Sequence, residues 1–489
     1  MAIALAALPC AAFGETLDQS VLSALQQHPS VEAAKASLES AGHSRAEQYS
    51  NYFPEVSIGL TGGRMYGNNA TSRGLVTTRG EAYSWLGEGS LTVRQRIFDG
   101  METSSRVDAA EARKKKAYNS VFEVREGLAF RAVESYVNVL RAREAVAALK
   151  AHQKKVSDYQ GRIRKMVEQG GADETQAQQA RDISVILEGI RADFEGQLKG
   201  AEAQYYEAVG YNPSPDMDVP KVPLDMVPRD IAEAVSYAKE NHPSVAVATD
   251  ESRATSYDVG AERSSLYPKL NSEMSYLKRD QRDEIGGESE DARATMRLSW
   301  DFSTGGAQFA RIRRSKSTHA ESMARMEDVR GQIARDLEMA YAEYETAGKQ
   351  LELLGQRRDL NEKLFKTYQA QFEGAKVNLL QLMQSDNQLF NTKLEGINGR
   401  YRLLLAQYGI LAGMGRLQNA MGLDQIAMAP DWNKTAPHPA KTEPAAGEEF
   451  PAPSRKPPLE AIEVKSVGAV PPTRPAVSSD ALLKAKPAR

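Results

Sequence analysis

Residues that could carry chemistry are scarce and scattered along this chain of 489 residues. Its six histidines and its single cysteine, Cys10, form no pattern of metal ligands. The sequence contains no His-Glu-x-x-His motif, no phosphate-binding Gly-Lys-Ser/Thr loop and no Gly-x-Ser-x-Gly elbow. His28 and His242 each precede a proline at a predicted helix end, where a local structural role is far more common than metal binding. We therefore predict no catalytic residue, no cofactor and no metal site, so the chain is not expected to be an enzyme.

Charge and hydropathy narrow the class of protein further. The net charge of −3 is close to balance, and no basic patch interleaved with aromatic residues occurs, so nucleic acid is not an expected partner. Mean hydropathy is −0.51, and no window offers the run of about 18 apolar residues that a transmembrane helix needs. Transmembrane strands stay possible, because they alternate apolar and polar residues and keep the average hydropathy low.

The two ends of the chain differ in composition from the rest. Residues 1–14 are rich in Ala and Leu and end on a small-x-small triplet before Glu15, which is typical of a secretory signal that lacks its basic start. Residues 430–489 are rich in Pro, Ala and Lys and cannot bury enough apolar surface to fold alone. The first segment predicts that the protein is exported. The second is predicted to be a disordered tail, with binding to a partner as the alternative.

The part between the two ends contains an internal duplication. The phrase His28-Pro29-Ser30-Val31 recurs as His242-Pro243-Ser244-Val245, and each copy is followed at the same spacing by a second proline, Pro54 or Pro268. At both prolines an apolar period of 3.6 residues gives way to a period of 2, because the residue before proline is pushed out of the helical region. This predicts a first repeat over 15–212, a Pro-rich linker over 213–228 and a second repeat over 229–423.

Each repeat should contain one β-hairpin, over 54–98 and 268–302. Arg94 and Arg96 share the polar face of one strand, which suits a wet lumen better than a packed core. The opposite faces carry the apolar residues that we predict to face lipid: Val56, Ile58, Leu60, Leu91, Val93, Met296, Leu298 and Trp300.

Long helices should follow each hairpin. About 70 residues without proline run from Met101 to Gly170 and again from Gly306 to Gly374, and a helix of about 40 residues follows each. No globular core is available to helices of this length, so they must pack side by side as coiled coil. Four strands per chain are too few to close a sheet in lipid, so neighbouring chains must supply the rest. Two chains would give eight strands and three would give twelve.

The whole pattern from Thr16 to Leu423 resembles the TolC-like outer-membrane channel family. The motifs that carry the resemblance are the two His-Pro-Ser-Val phrases, Tyr52-Phe53-Pro54 and Leu266-Tyr267-Pro268, and the Arg-Ile-Phe-Asp-Gly sequence of residues 96–100. The resemblance implies an α+β membrane protein of the Gram-negative outer membrane. Three identical chains would form a twelve-stranded β-barrel that continues as an α-helical tunnel through the periplasm. It also implies a periplasmic adaptor (a membrane fusion protein) and an inner-membrane ABC or proton-driven transporter as partners.

The resemblance further implies a pore constriction at the periplasmic tip. Gln381 and Gln384 fall where acidic residues are often found in the family, so the ring would carry neutral amides instead of charges. Such a ring argues against strong cation selectivity. Ordinary polar positions on a coiled coil are an equally good interpretation of these two residues.

Within this family the residues favour type I protein secretion, with efflux of multiple drugs or toxic compounds as the alternative. A different class of protein, a soluble periplasmic coiled-coil adaptor or scaffold, would expose its hairpins to water instead. Arginine at Leu298 separates these classes, since it would cost about 2–4 kcal/mol near a bilayer midplane and little on a hairpin in water.

Overall fold

The computed structural model describes residues 15–67, 82–171, 173–281, 288–374 and 376–423. The signal-like segment over 1–14 and the tail over 430–489 lie outside the described residues. Helices dominate, and none of those described is long and apolar enough to cross a membrane. The helices are α1 (Leu17–Gln27), α2 (Pro29–Ser50), α3 (Glu102–Glu168), α4 (Glu174–Val209), α5 (Ile231–Asn241), α6 (Pro243–Arg263), α7 (Ala307–Glu373), α8 (Leu379–Gly413) and α9 (Leu417–Ala420). The strands are β1 (Glu55–Gly67), β2 (Ala82–Phe98), β3 (Lys269–Gln281) and β4 (Glu288–Ser299).

The element order confirms the predicted duplication. Strands β1 and β3 begin at the same distance after His28 and His242, respectively. The long helices α3 and α7 have 67 residues each. One constant offset takes the start of α3 to the start of α7 and the start of α4 to the start of α8. Every residue of α3 therefore has an equivalent in α7, and the residues of α4 have equivalents in α8 in the same way.

Local capping interactions explain where the short helices start. Thr16 begins α1 with a capping box to Gln19. His28 ends α1 and begins α2, and its Nδ1 accepts a hydrogen bond from the Ser30 N–H at 3.1 Å. His242 does the same between α5 and α6, where its Nδ1 accepts from the Ser244 N–H at 3.2 Å. Both histidines thus have the predicted local structural role.

The helices pack side by side in a defined order. Helix α2 packs along the half of α3 nearer the sheet, and α4 packs along the other half. Helices α6 and α8 pack along α7 in the same way. The two repeats meet where α3 contacts α6 and α8. In the half that carries α4 and α8, the order is therefore α4–α3–α8–α7, with α4 and α7 at the two ends.

Side chains from both repeats build the largest hydrophobic core. Val133, Tyr136 and Val137 of α3 are fully buried there, together with Tyr205 of α4 and Leu411 of α8. Burying apolar surface in this way is the main favourable term in holding such helices together, at about 25 cal/mol per Å².

All four strands form one antiparallel sheet in the order β1-β2-β3-β4, so β2 and β3 join the two hairpins. Pairing of β2 with β3 slips at a bulge between Arg96 and Phe98. The predicted extension of the last strand to Phe302 is wrong, because β4 ends at Ser299 and leaves Trp300 outside it. The Trp300 Nε1–H donates to the Leu266 carbonyl at 3.2 Å, so this side chain is tied to the segment before β3.

Candidate functional site

The register of the sheet sorts its side chains onto two faces. Residues that are paired across neighbouring strands form a row, and their side chains point to the same side of the sheet. The next row on that side lies two residues further along each strand. The row Val56–Val93–Met274–Ala294 shares a face with the row Ile58–Leu91–Tyr276–Ala292, and with Leu60, Met296, Leu270 and Leu298. Seven of the eight residues predicted to face lipid are therefore on one face, and Trp300 is the exception. No helix or strand of the described chain packs over this face. The side chains of Leu60 and Leu298, for example, are 85% and 68% exposed to solvent.

The opposite face is polar and carries paired charges. Its rows include Glu55–Arg94–Glu273–Thr295 and Thr61–Glu88–Arg279–Ser289. Arg94 and Glu273 form an ion pair at 3.2 Å, and Arg279 reaches Glu88 at 2.9 Å. A sheet with one bare apolar face and one charged face can separate an apolar environment from water.

The two repeats enter the sheet in the same way. Pro54 stands between the turn after α2 and the start of β1, and Pro268 stands between a 3₁₀ turn after α6 and the start of β3. Chain exit from β2 is also defined: Asp99 accepts hydrogen bonds from the Glu102 N–H at 3.1 Å and the Thr103 N–H at 2.8 Å. The aspartate of the Arg-Ile-Phe-Asp-Gly motif therefore satisfies the first amides of α3.

At the far end of the helices, α8 begins next to the end of α7. Gln381 and Gln384 both lie in its first two turns and are exposed. Gln381 has a structural task that the sequence analysis missed: its Oε1 accepts from the Asn378 N–H at 3.2 Å, while Asn378 Oδ1 accepts from the Gln381 N–H at 2.9 Å. This capping box has the usual spacing of three residues, so the signal was present in the sequence.

A buried polar cluster joins the two repeats one turn further in. His152 of α3 and Asp386 of α8 are 4% and 2% exposed, and their Nδ1 and Oδ2 atoms lie 3.6 Å apart. Lys155 reaches the other carboxylate oxygen at 3.3 Å, and the His152 ring stacks on Phe390 at 4.1 Å. Burial lowers the pKa of His152 below its ordinary value, although Asp386 opposes this shift. The imidazole is therefore held in its neutral form.

A second polar cluster fixes the linker to the helices. The Glu15 carboxylate accepts hydrogen bonds from Ser20 Oγ at 3.0 Å, from the Tyr211 hydroxyl at 2.8 Å and from Tyr205. Burial beside this carboxylate raises the pKa of Tyr205, so its hydroxyl stays a donor. The Tyr136 hydroxyl donates to the Asp218 carbonyl at 2.8 Å.

The repeat equivalent of Tyr136 has the same task. Tyr341 stands in α7 where Tyr136 stands in α3, and it donates to the Pro228 carbonyl at 2.8 Å. The linker over 213–228 is thus anchored to α3 at Asp218 and to α7 at Pro228, in addition to connecting the repeats. Matching tyrosines were visible in the sequence, but their partners were not.

Comparison with known proteins identifies the group to which this architecture belongs. The profile of the outer membrane efflux protein family matches residues 21–210 and 234–416, which lie within the two repeats and leave out the linker. The chain belongs to the outer membrane efflux protein family. Its members are passive channels of the Gram-negative outer membrane with a periplasmic helical tunnel, and not enzymes.

Individual members of this family resemble the chain over most of its length. The outer membrane efflux protein BepC of Brucella suis is 24% identical over 419 residues, which cover 83% of this chain and 87% of BepC. Among solved structures, the Campylobacter jejuni CmeC outer membrane channel superposes with a TM-score of 0.73 at 14% identity, over 82% of this chain and 86% of that one. The open state of the Neisseria gonorrhoeae MtrE outer membrane channel gives 0.68 at 15% identity, over 82% and 89%.

Family membership decides between the classes that the sequence left open. The predicted TolC-like fold is confirmed, and so is the outer-membrane location. The alternative of a soluble periplasmic scaffold is wrong, because the family is one of outer-membrane channels. Among the described residues, no group of three or more His, Cys, Asp or Glu side chains could hold a metal ion.

Proposed function

We propose that this chain is the outer-membrane subunit of an export channel, in which three copies close a twelve-stranded barrel above a helical tunnel. The observation that carries this proposal is the four-stranded sheet with one bare apolar face, one charged face and edge strands β1 and β4 that each have a single strand neighbour within the described part of the chain. In hydrocarbon an unpaired strand edge costs several kcal/mol per group, so β4 of one copy must pair with β1 of the next. Twelve strands leave room for a lumen, whereas eight are filled by side chains.

The dimensions of the apolar face support insertion into a bilayer. Five rows run from Leu270 and Leu298 to Leu60, about 27 Å along the strands at about 3.4 Å per residue. A tilt of about 40° makes this about 21 Å of membrane depth, close to the apolar band of about 25 Å in outer-membrane barrels. The last of these rows also holds the ion pair of Lys278 and Glu290 at 3.0 Å, so it marks the polar border of the face. The central row is Val56–Val93–Met274–Ala294, so Leu298 lies at the border of the band and not near the midplane.

Gln381 and Gln384 are proposed as the narrowest ring of the tunnel. Both are exposed in the first two turns of α8, and Gln381 is held in place by its capping box with Asn378. Three copies would present neutral amides, which offer hydrogen bonds but no fixed charge. Aspartate at Gln384 should introduce block of the single-channel current by a trivalent cation, whereas the unchanged channel should show little block.

The export system is proposed to have three parts, with a periplasmic adaptor at the tip of the tunnel and an inner-membrane ABC or proton-driven transporter that supplies the energy. Small toxic compounds are the proposed cargo, supported by the name of BepC as an efflux protein. Type I protein secretion, which the sequence analysis favours, is the second candidate. Deletion of the gene separates the two: hypersensitivity to dyes and hydrophobic antibiotics supports efflux, and loss of a secreted protein without hypersensitivity supports secretion.

The channel itself is tested with the purified protein. The mature chain should fractionate with the outer membrane, have the mass of a trimer in detergent and produce single-channel currents in planar bilayers. A stable monomer without currents would overturn the proposed function, whatever the cargo.

A further inference from the structure

Certain side chains are exposed in the single chain although their repeat equivalents are buried. Leu364 of α7 is 42% exposed, and Val185 of α4 is 67% exposed. Their equivalents, at the offset that takes α3 to α7 and α4 to α8, are Tyr159 of α3 and Phe390 of α8, which are 9% and 6% exposed. The difference lies in the neighbours, since α3 packs on α8 within the chain while α7 and α4 are the two ends of the helix order.

The internal duplication therefore contains a template for the missing contact. In the order α4–α3–α8–α7, the interface between α3 and α8 has an equivalent only if α7 meets an α4 that belongs to another copy. Cyclic assembly supplies such a contact, because head-to-tail interfaces join one end of a subunit to the opposite end of the next. Edge strands β4 and β1 require the same head-to-tail neighbour.

On this basis, which rests on the proposed trimer, we infer that α7 of one subunit docks on α4 of the next in the register that α3 and α8 have within the chain. The register predicts one specific ion pair. Within the chain, Glu144 of α3 binds Arg400 of α8 and accepts from the Tyr401 hydroxyl at 2.9 Å. The equivalents are Lys349 and Glu195, which reverse the two charges and so keep the attraction.

Both members of this pair are available. Lys349 is exposed and has no ion-pair partner within the part of the chain that the structure describes. Among the described residues, the ion-pair partner of Glu195 is Arg191 of its own helix, at 4.0 Å. The equivalent of Tyr401 is Gly196, which has nothing within 4 Å of the position that a Cβ would occupy. A glycine at this position leaves room for a helix of the next subunit to approach closely.

Apolar contacts should accompany the ion pair. Leu360 and Leu364 stand at the positions of Lys155 and Tyr159, and Val185 stands at the position of Phe390, so the three form an apolar patch across the subunit boundary. Arg357 and Arg181 stand at the positions equivalent to the buried pair His152 and Asp386. Repulsion between these two cations is reduced, because Glu395 of α8 already binds Arg357 at 2.7 Å. The boundary between subunits is thus more apolar at Leu360, which replaces Lys155, and keeps charged side chains at Arg357 and Arg181.

Charge reversal tests the ion pair. Lys349→Glu and Glu195→Lys should each lower the melting temperature of the purified trimer, since each sets like charges opposite one another, and the double variant should restore it. Lys366→Glu is the control for charge on α7 alone: it sets like charges at Glu362 of the same helix, so any small loss of stability that it causes should not be restored by Glu195→Lys. Absence of rescue in the double variant overturns the inferred register.

Crosslinking gives an independent readout. In a Cys10→Ser background, Lys349→Cys with Glu195→Cys should yield covalent trimers when a short bismaleimide is added. Glu202→Cys in place of Glu195→Cys shifts the site by about 10 Å along α4 and should yield none. Trimers by mass that neither crosslink nor show charge rescue overturn the inference but leave the channel proposal standing, whereas a monomer overturns both.

Discussion

Arginine placed on the two faces of β4 should have opposite outcomes. Ala294 lies in the central row of the apolar face, and Thr295, the next residue, points to the polar face beside Glu273. Both are small and exposed, so the same substitution differs only in what surrounds the guanidinium group. At the bilayer midplane, lipid-facing arginine costs about 2–4 kcal/mol per subunit. On the polar face, Thr295→Arg meets water and a carboxylate and should cost close to nothing.

Depth provides a second comparison on the same face. Leu298 lies four residues from Ala294, which is about 14 Å along the strand and about 10 Å in depth after a tilt of about 40°. Near the border of the band the cost of arginine falls to about 0–1 kcal/mol. The expected order of destabilisation is therefore Ala294→Arg, then Leu298→Arg, then Thr295→Arg.

The assay is urea unfolding of the protein in phospholipid vesicles, followed by tryptophan fluorescence. A loss of about 2–4 kcal/mol should lower the urea midpoint on the order of 1 M at ordinary slopes. Equal midpoints for Ala294→Arg and Thr295→Arg would show that the two faces of the sheet see the same solvent, which refutes the assignment of an outer, lipid-facing side. A cost at Leu298 as large as at Ala294 would refute the position of the midplane.

Two further predictions concern the helices. Burial lowers the pKa of His152 and of His242, so the folded chain prefers both rings neutral. Their contribution to stability is complete above the ordinary histidine pKa of about 6.5 and is lost as the pH falls below it, so the melting temperature should drop between pH 7 and pH 5.5. His152→Gln should flatten that dependence, and an unchanged slope would contradict the assignment. At Gly415, φ is +68° and a Cβ would lie 2.7 Å from Pro243 Cδ, so Gly415→Ala should destabilise the chain more than Gly422→Ala, which has the same φ and open space around it. Equal thermal shifts in the two variants would show that the contact with Pro243 is unimportant.

Local periodicity made much of this architecture predictable. A period of 2 around Val56 and Leu298, a period of 3.6 through α3 and α7, and the prolines Pro54 and Pro268 act on the backbone over a few residues. Such signals are readable from composition and spacing alone. The duplication strengthened them, because the His-Pro-Ser-Val phrase and the proline before each hairpin occur twice at the same offset.

Contacts between distant residues depend on the tertiary structure. Glu15 meets Tyr205, and His152 meets Asp386, although each pair is far apart in the sequence and no local pattern links either one. The alternation continues in the sequence beyond Ser299, where β4 ends, and the contact of the Trp300 side chain with the Leu266 carbonyl is likewise a tertiary one. Single-chain periodicity specified which elements form and which faces are apolar. Only packing decided the order α4–α3–α8–α7. It also decided which two helices end that order with one side open, because helix order follows from which faces fit together and not from their distance along the chain.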